Sequence, residues 1–261
     1  RFVFVQVEPP WPSRVEDDPR VATSPDDAAG TVVRAIWPVV PGPSQERTSF
    51  EYARPNGPSE RLAGSELGQA IPSEIRDILI CTHGTRDACC GTIGMKLVQA
   101  LSSWAEDQPN VRLWRSSHLG GHRFAPTMVD LPSGDSWAFV DPSVAPGLLE
   151  GDHSPQSVLR HHRGWWGLGS AFEQAAETAA WARIGSSWRE GTRSGQIAET
   201  SDDGNLATVR LEAIDGLGRT TTVRAQVQRS LCPQVVSCGI QRNEAEYRVT
   251  RLDVEGRTSI P

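Results

Sequence analysis

The segment Ile75-Arg76-Asp77-Ile78-Leu79-Ile80, apolar over its last three residues, runs directly into Cys81 and opens the loop Cys81-Thr82-His83-Gly84-Thr85-Arg86-Asp87-Ala88-Cys89-Cys90-Gly91. A short apolar run that meets a turn signal reads as a buried strand. Beyond the loop, Ile93, Leu97, Leu101 and Trp104 recur at helical spacing and predict an amphipathic helix from about 92 to 105. Val111 to Trp114 predicts a second strand. Strand, loop, helix and strand in that order demand an α/β arrangement, with a loop of cysteines and a histidine at the end of a strand.

The surrounding pattern extends this unit. Met128 to Leu131 and Trp137 to Val140 flank Pro132-Ser133-Gly134-Asp135 and predict strands about a turn. Helices are expected near 143 to 150 and from about 170 to 184. The second is alanine-rich, with Phe172, Ala176, Ala179 and Ile184 as its inner face. Upstream, Phe2 to Val7 and Thr31 to Val40 read as strands, the first stopped by Pro9, Pro10 and Pro12. Residues 13 to 30 and 41 to 70 are polar and rich in glycine and proline, and read as loop. Downstream, Ala207 to Leu211, Thr221 to Val227 and Glu246 to Leu252 are β candidates after a polar stretch at 189 to 206. The expected organisation is an N-terminal α/β extension over 1–74, a core over 75–188 with the order of a thioredoxin-like fold, and a C-terminal β-rich appendage over 189–261.

Composition removes several function classes. Twenty-six basic against thirty-two acidic residues give a net charge of -6, the wrong balance for a protein that binds nucleic acid through its phosphates. No apolar stretch is long enough to span a membrane. Phe2-Val3-Phe4-Val5 is too short for a signal-peptide core. Five cysteines are an odd count for a secreted disulfide framework, so they read as cytosolic thiols or metal ligands, and a cytoplasmic location is expected.

Three of the five cysteines and three of the six histidines fall between residues 81 and 122. The second half of the group is Ser117-His118-Leu119-Gly120-Gly121-His122-Arg123-Phe124. Alone, a cysteine at a strand end is most often a small buried hydrophobe, and a loop histidine a surface or capping residue. Their clustering favours a metal or cluster site, since two thiolates and two imidazoles make four ligands. Gly120 and Gly121 oppose helix, which leaves His118 and His122 on a folded loop. Arg86 and Arg123 are placed to offset thiolate charge or donate hydrogen bonds around the ligands. Zinc takes such a ligand set, but eight residues between Cys81 and Cys90 do not fit a zinc finger. An iron–sulfur cluster tolerates the longer loop. Cys81-Thr82-His83 resembles one half of a Rieske site, whose second half is missing. Cys89-Cys90 is not Cys-x-x-Cys, which weakens a thiol–disulfide exchange reading.

These stretches make the chain resemble the sucrase/ferredoxin-like family, whose members look like thioredoxin-like ferredoxins. The resemblance is carried by Cys81 through Asp87, by Cys90-Gly91, and by Ser117 through Pro126. His162-Arg163-Gly164, Gln174 to Glu177 and Val7-Glu8-Pro9-Pro10-Trp11-Pro12 add to it. It implies a [2Fe-2S] cluster held by Cys81, Cys90, His118 and His122. Cys89 is then a neighbour, or the substitute ligand in another register, and His83 stands behind the ligands. "Sucrase" finds no support in the chain, which shows no acidic pair in a glycosidase setting.

The implied function is one-electron transfer. Imidazole ligands would raise the potential above that of an all-cysteine site and couple it to protons. Leu119, Phe124 and Pro126 would shield the centre or face a partner, and Arg112, Arg115 and Arg123 offer a positive face to an acidic one. No dinucleotide loop, P-loop or Gly-x-Ser-x-Gly elbow is present, so a reductase and an acceptor are the expected partners. Two other classes use the same residues: a structural zinc-binding scaffold, and a thiol or cluster-dependent oxidoreductase. Trp165-Trp166 is read as packing, and Cys232 and Cys238 as structural.

Overall fold

The computed structural model describes residues 2–21, 32–39, 50–52, 61–63, 70–71, 75–237 and 239–259. In chain order the elements are β1 (Phe2–Gln6), β2 (Val32–Pro38), β3 (Phe50–Tyr52), β4 (Arg61–Ala63), β5 (Ala70–Ile71), β6 (Arg76–Cys81), α1 (Ala88–Glu106), β7 (Val111–Ser116), β8 (Met128–Leu131) and β9 (Asp135–Trp137). There follow α2 (Ala145–Glu150), α3 (Pro155–His161), β10 (His162–Trp165), α4 (Ala171–Ile184), β11 (Thr192–Thr200), β12 (Leu206–Ile214), β13 (Arg219–Ser237) and β14 (Ile240–Ser259). The chain divides into two units. One comprises Arg1–Arg54, Ser59–Ser133 and Ala138–Leu149; the other Pro55–Pro58, Gly134–Trp137 and Glu150–Pro261.

In the first unit the strands lie in the order β8-β6-β7-β2-β1-β3-β4-β5. β6 and β7 are parallel, joined through α1, and β8 runs antiparallel to β6. β6 is thus flanked on both sides, and its continuous run Ile78, Leu79, Ile80 is fully buried. Asp77, immediately before that run, is also fully buried. It is matched by two hydrogen bonds from Arg112 (2.7 and 2.9 Å) and one from the Trp114 indole (2.7 Å). Arg112 is therefore committed to Asp77 and is not part of a free positive face.

The helix predicted from 92 begins at Ala88. Asp87 caps it, its Oδ1 accepting from the backbone N–H of Cys89 (2.9 Å) and of Cys90 (3.2 Å). Two glycines of its first turns serve close packing. A Cβ at Gly91 would lie 2.6 Å from Gly84 Cα, and one at Gly94 would strike the Cys81 carbonyl oxygen. Leu97, Val98 and Leu101 bury the inner face of α1, while Ile93 lies on its exposed side.

The N-terminal arm between β1 and β2 forms two short 3-10 turns at Val15–Asp17 and Pro19–Val21. They cover a small cluster of Val7, Trp11, Val15, Val21 and Ala35. Much of the long polar region 41–70 lies outside the described residues.

The second unit holds the β-rich tail. β9 and β10 pair antiparallel, and β11-β12-β13-β14 form an antiparallel sheet. Alternate residues Ala207, Val209, Leu211 and Ala213 of β12, with Val223, Ala225 and Val227 of β13, form its buried face. The polar stretch at 189 to 206, expected as a connection, contains β11. The buried face of α4 is Glu173, Ala176, Glu177, Ala180 and Trp181, not the all-apolar face expected. The buried Glu177 carboxylate is tolerated there because Arg193 Nη1 donates to its Oε1 at 2.6 Å. Trp165 is buried as packing and Trp166 half-buried. Beyond Gln228, β13 pairs with β14 alone, which leaves one edge free at Pro233. Cys232 is a free thiol, and Cys238 lies outside the described residues. Among the described residues no helix is long and apolar enough to cross a membrane.

Candidate metal centre

Cys81 closes β6 and is 1% exposed; Cys90, in the first turn of α1, is equally buried. The strand end and the helix start meet where Gly84 faces Gly91 and Gly94 faces Cys81. That contact sets the two thiols side by side, where each shifts the ionisation of the other. The Cys90 thiol donates to Cys81. Burial opposes ionisation there, but His118 and the backbone N–H groups of His83 and Leu119 add to the pull. The Cys81 thiol is consequently held well below its usual range. Cys90 is pushed far upward, because its proton is held by Cys81 and because it too is buried. One thiolate surrounded by donors, with a second sulfur at its side, is a pair able to accept a soft metal ion once Cys90 gives up its proton.

His118 follows β7 and is half-buried. Its backbone N–H donates to His83 Nδ1 at 3.1 Å. An accepting Nδ1 leaves the His83 proton on Nε2, which donates to the Pro12 carbonyl at 2.8 Å. Burial, partly countered by that Pro12 bond, lowers the His83 pKa and favours this neutral form. His83 is thereby a brace between the N-terminal arm and the His118 backbone. Thr85 Oγ1 donates to the Trp11 carbonyl (2.6 Å) and Arg86 to the Ser13 carbonyl (3.1 Å), so three successive carbonyls hold the loop.

Gly120 and Gly121 both take positive φ, 94° and 64°. The chain after His118 therefore folds back as the sequence implies, and a short 3-10 turn starts at His122. The side chain of His122 lies outside the described residues. Arg123 lies over the Phe124 ring, 4.4 Å from its centroid, and Phe124 meets Phe139 edge to face at 5.6 Å. Cys89 is half-buried and disulfide-bonded, so its sulfur is not a free thiolate.

Among the described residues no group of three or more His, Cys, Asp or Glu side chains is spaced to hold a metal ion. Cys81, Cys90 and His118 come together pairwise, through the Cys81 sulfur, rather than around a common point. Two participants went unread in the sequence. Arg34 of β2 is buried enough to lower its pKa, and it feels both Glu16 and the Cys81 sulfur as balancing charges. Asp87 fixes the helix start. An aspartate ahead of the apolar helical spacing is a capping signal that could have located it.

A protein named Altered inheritance of mitochondria protein 32, from Eremothecium gossypii (strain ATCC 10895 / CBS 109.51 / FGSC 9923 / NRRL Y-1056), is 32% identical over 126 residues, which are 42% of this chain. The match spans 39% of that relative's length. No solved structure matches the chain. The sucrase/ferredoxin-like family model matches residues 30–164, more than half of the chain and all of the loops described above. By that match the chain belongs to the sucrase/ferredoxin-like family.

Proposed function

We propose that this chain is a one-electron carrier whose [2Fe-2S] cluster is held by Cys81, Cys90, His118 and His122. The observation that carries the reading is the convergence on one buried sulfur. Cys81 Sγ receives the Cys90 thiol, His118 and two backbone N–H groups. Such a donor set suits a thiolate bound to a metal and is the arrangement by which outer groups tune a cluster. The β6-α1-β7 unit with antiparallel β8 supports the thioredoxin-like part of the reading.

When bound, the cluster would supply the one-electron couple. The chain's own residues supply position and charge. Asp87 pins the first turn of α1 and with it Cys90. His83 holds the His118 backbone through Nδ1. The paired glycines set the approach to His122. Arg34 places a cation toward the Cys81 sulfur. Electrons would come from a reductase protein and pass to an acceptor protein.

Absorbance of protein purified without air, read beside iron, zinc and acid-labile sulfide, tests this. A red-brown protein with bands at roughly 400–600 nm and about two irons and two sulfides per chain is expected. A colourless protein with stoichiometric zinc, and no colour after iron reconstitution, would establish the structural zinc site instead.

A further inference from the structure

An open cleft of about 520 Å³ lies in the first unit beside the cysteine loop. Its size is that of a small-molecule site. Arg115 of β7 and Thr82 line it, with an apolar wall of Pro9, Pro10, Trp11 and Met95.

Arg115 is half-buried, and burial alone lowers its pKa. Among the described residues it has no carboxylate within ion-pair distance, and its Nε is buried without an acceptor. The other arginines of β6 and β7 are paired: Arg76 with Asp130 at 2.6 Å, Arg112 with Asp77 at 2.7 Å. Arg115 does not serve the cysteine pair either. Arg34 feels the Cys81 sulfur; Arg115 has no such influence. Thr82 is 5% exposed, and its Oγ1 is also buried without a partner. A desolvated cation and an unused hydroxyl in one cleft are costly to keep unless an acceptor arrives to meet them.

We propose that this cleft binds a small organic anion, a carboxylate or phosphate on a flat apolar body, with its charged end at Arg115. A guanidinium presents paired donors to either oxyanion. The Thr82 hydroxyl offers a further donor, and the proline, tryptophan and methionine wall takes the apolar body. The site stands on this geometry alone and does not depend on the cluster.

Isothermal titration calorimetry of the full chain with benzoate, phenyl phosphate and inorganic phosphate tests it. Saturable one-to-one binding of benzoate or phenyl phosphate is expected, and the tighter of the two identifies the head group. Arg115→Gln should weaken that binding at least tenfold, and Thr82→Val severalfold. Met95→Trp fills the cleft from its wall without touching the arginine, and should also weaken binding tenfold or more, which keeps the test open if Arg115→Gln fails to fold. The proposal is overturned if neither organic anion saturates the wild type below about 10 mM, a weak-binding limit. Equal affinity in the wild type, Arg115→Gln and Met95→Trp would overturn it too. Inorganic phosphate binding as tightly as phenyl phosphate would remove the apolar body from the assignment.

Discussion

Replacing Asp135 by Asn removes one charge from a sealed network in the second unit. The Asp135 and His162 side chains are fully buried, Glu177 is 1% exposed and Arg193 6%. Arg189 donates to Asp135, Arg193 lies 3.6 Å from it, and His162 Nε2 lies 3.5 Å from it. Two carboxylates thus face two guanidiniums, and the substitution leaves two cations against Glu177 alone. Breaking a buried pair in this way costs about 3–5 kcal/mol. At roughly 2–4 °C per kcal/mol for a chain of this length, Tm should fall by about 6 to 20 °C at neutral pH. Scanning calorimetry measures it, and a loss under about 3 °C refutes the reasoning. Burial raises the Asp135 pKa, but His162, Arg189 and Arg193 together outweigh it and hold the carboxyl below its usual 3.8. A carboxyl with a depressed folded pKa contributes stability that is complete above the unfolded value and lost as pH falls below it. The gap between wild type and Asp135→Asn should therefore begin to close as pH falls below about 4. The double variant Asp135→Asn/Arg189→Met removes both charges and keeps a side chain near the Trp181 ring, over which Arg189 lies at 4.3 Å. It should recover part of the loss, and a double variant no more stable than the single one would show that charge is not the cause.

Cys90→Ser should strip most of the iron and visible absorbance from anaerobically purified protein while the far-ultraviolet dichroism stays unchanged, because the hydroxyl keeps the size of the thiol but is a poor soft-metal ligand. Asp87→Ala removes the Oδ1 that accepts from both the Cys89 and Cys90 N–H groups and should cost about 0.5–2 kcal/mol in a denaturant titration, with iron occupancy falling alongside. Gly94→Ala drives a methyl into the Cys81 carbonyl and should cost about 1–3 kcal/mol by the same titration. An unchanged midpoint would mean that α1 lies further from β6 than described.

The loops that carry the candidate site were easier to read from the sequence than the contacts that support them. The apolar residues Ile78, Leu79 and Ile80 running into Cys81 located β6, because a strand flanked on both sides buries its side chains, while the buried Asp77 in the same strand is matched by Arg112 and Trp114. The two glycines after His118 announced a folded loop, because positive φ at successive positions is a glycine property. The helix start was misplaced by four residues. The apolar spacing starts only at Ile93, whereas the first turn of α1 is set by the Asp87 cap and by Gly91, which lets α1 approach the loop at Gly84. β11 was hidden because most of its side chains face solvent and leave no apolar alternation. The buried face of α4 misled for the opposite reason. Glu177 lies inside only because Arg193, sixteen residues on, meets it, and no local period encodes that partnership.

The run of three carbonyls, Trp11 to Ser13, that receives Thr85, His83 and Arg86 bears on where this molecule can be cut. The family-model match begins at residue 30, so a minimal fragment cut to that match would discard the arm. Such a fragment would keep every proposed ligand and lose the clasp on their loop. The boundary that homology draws and the boundary that mechanics requires are different places in this chain.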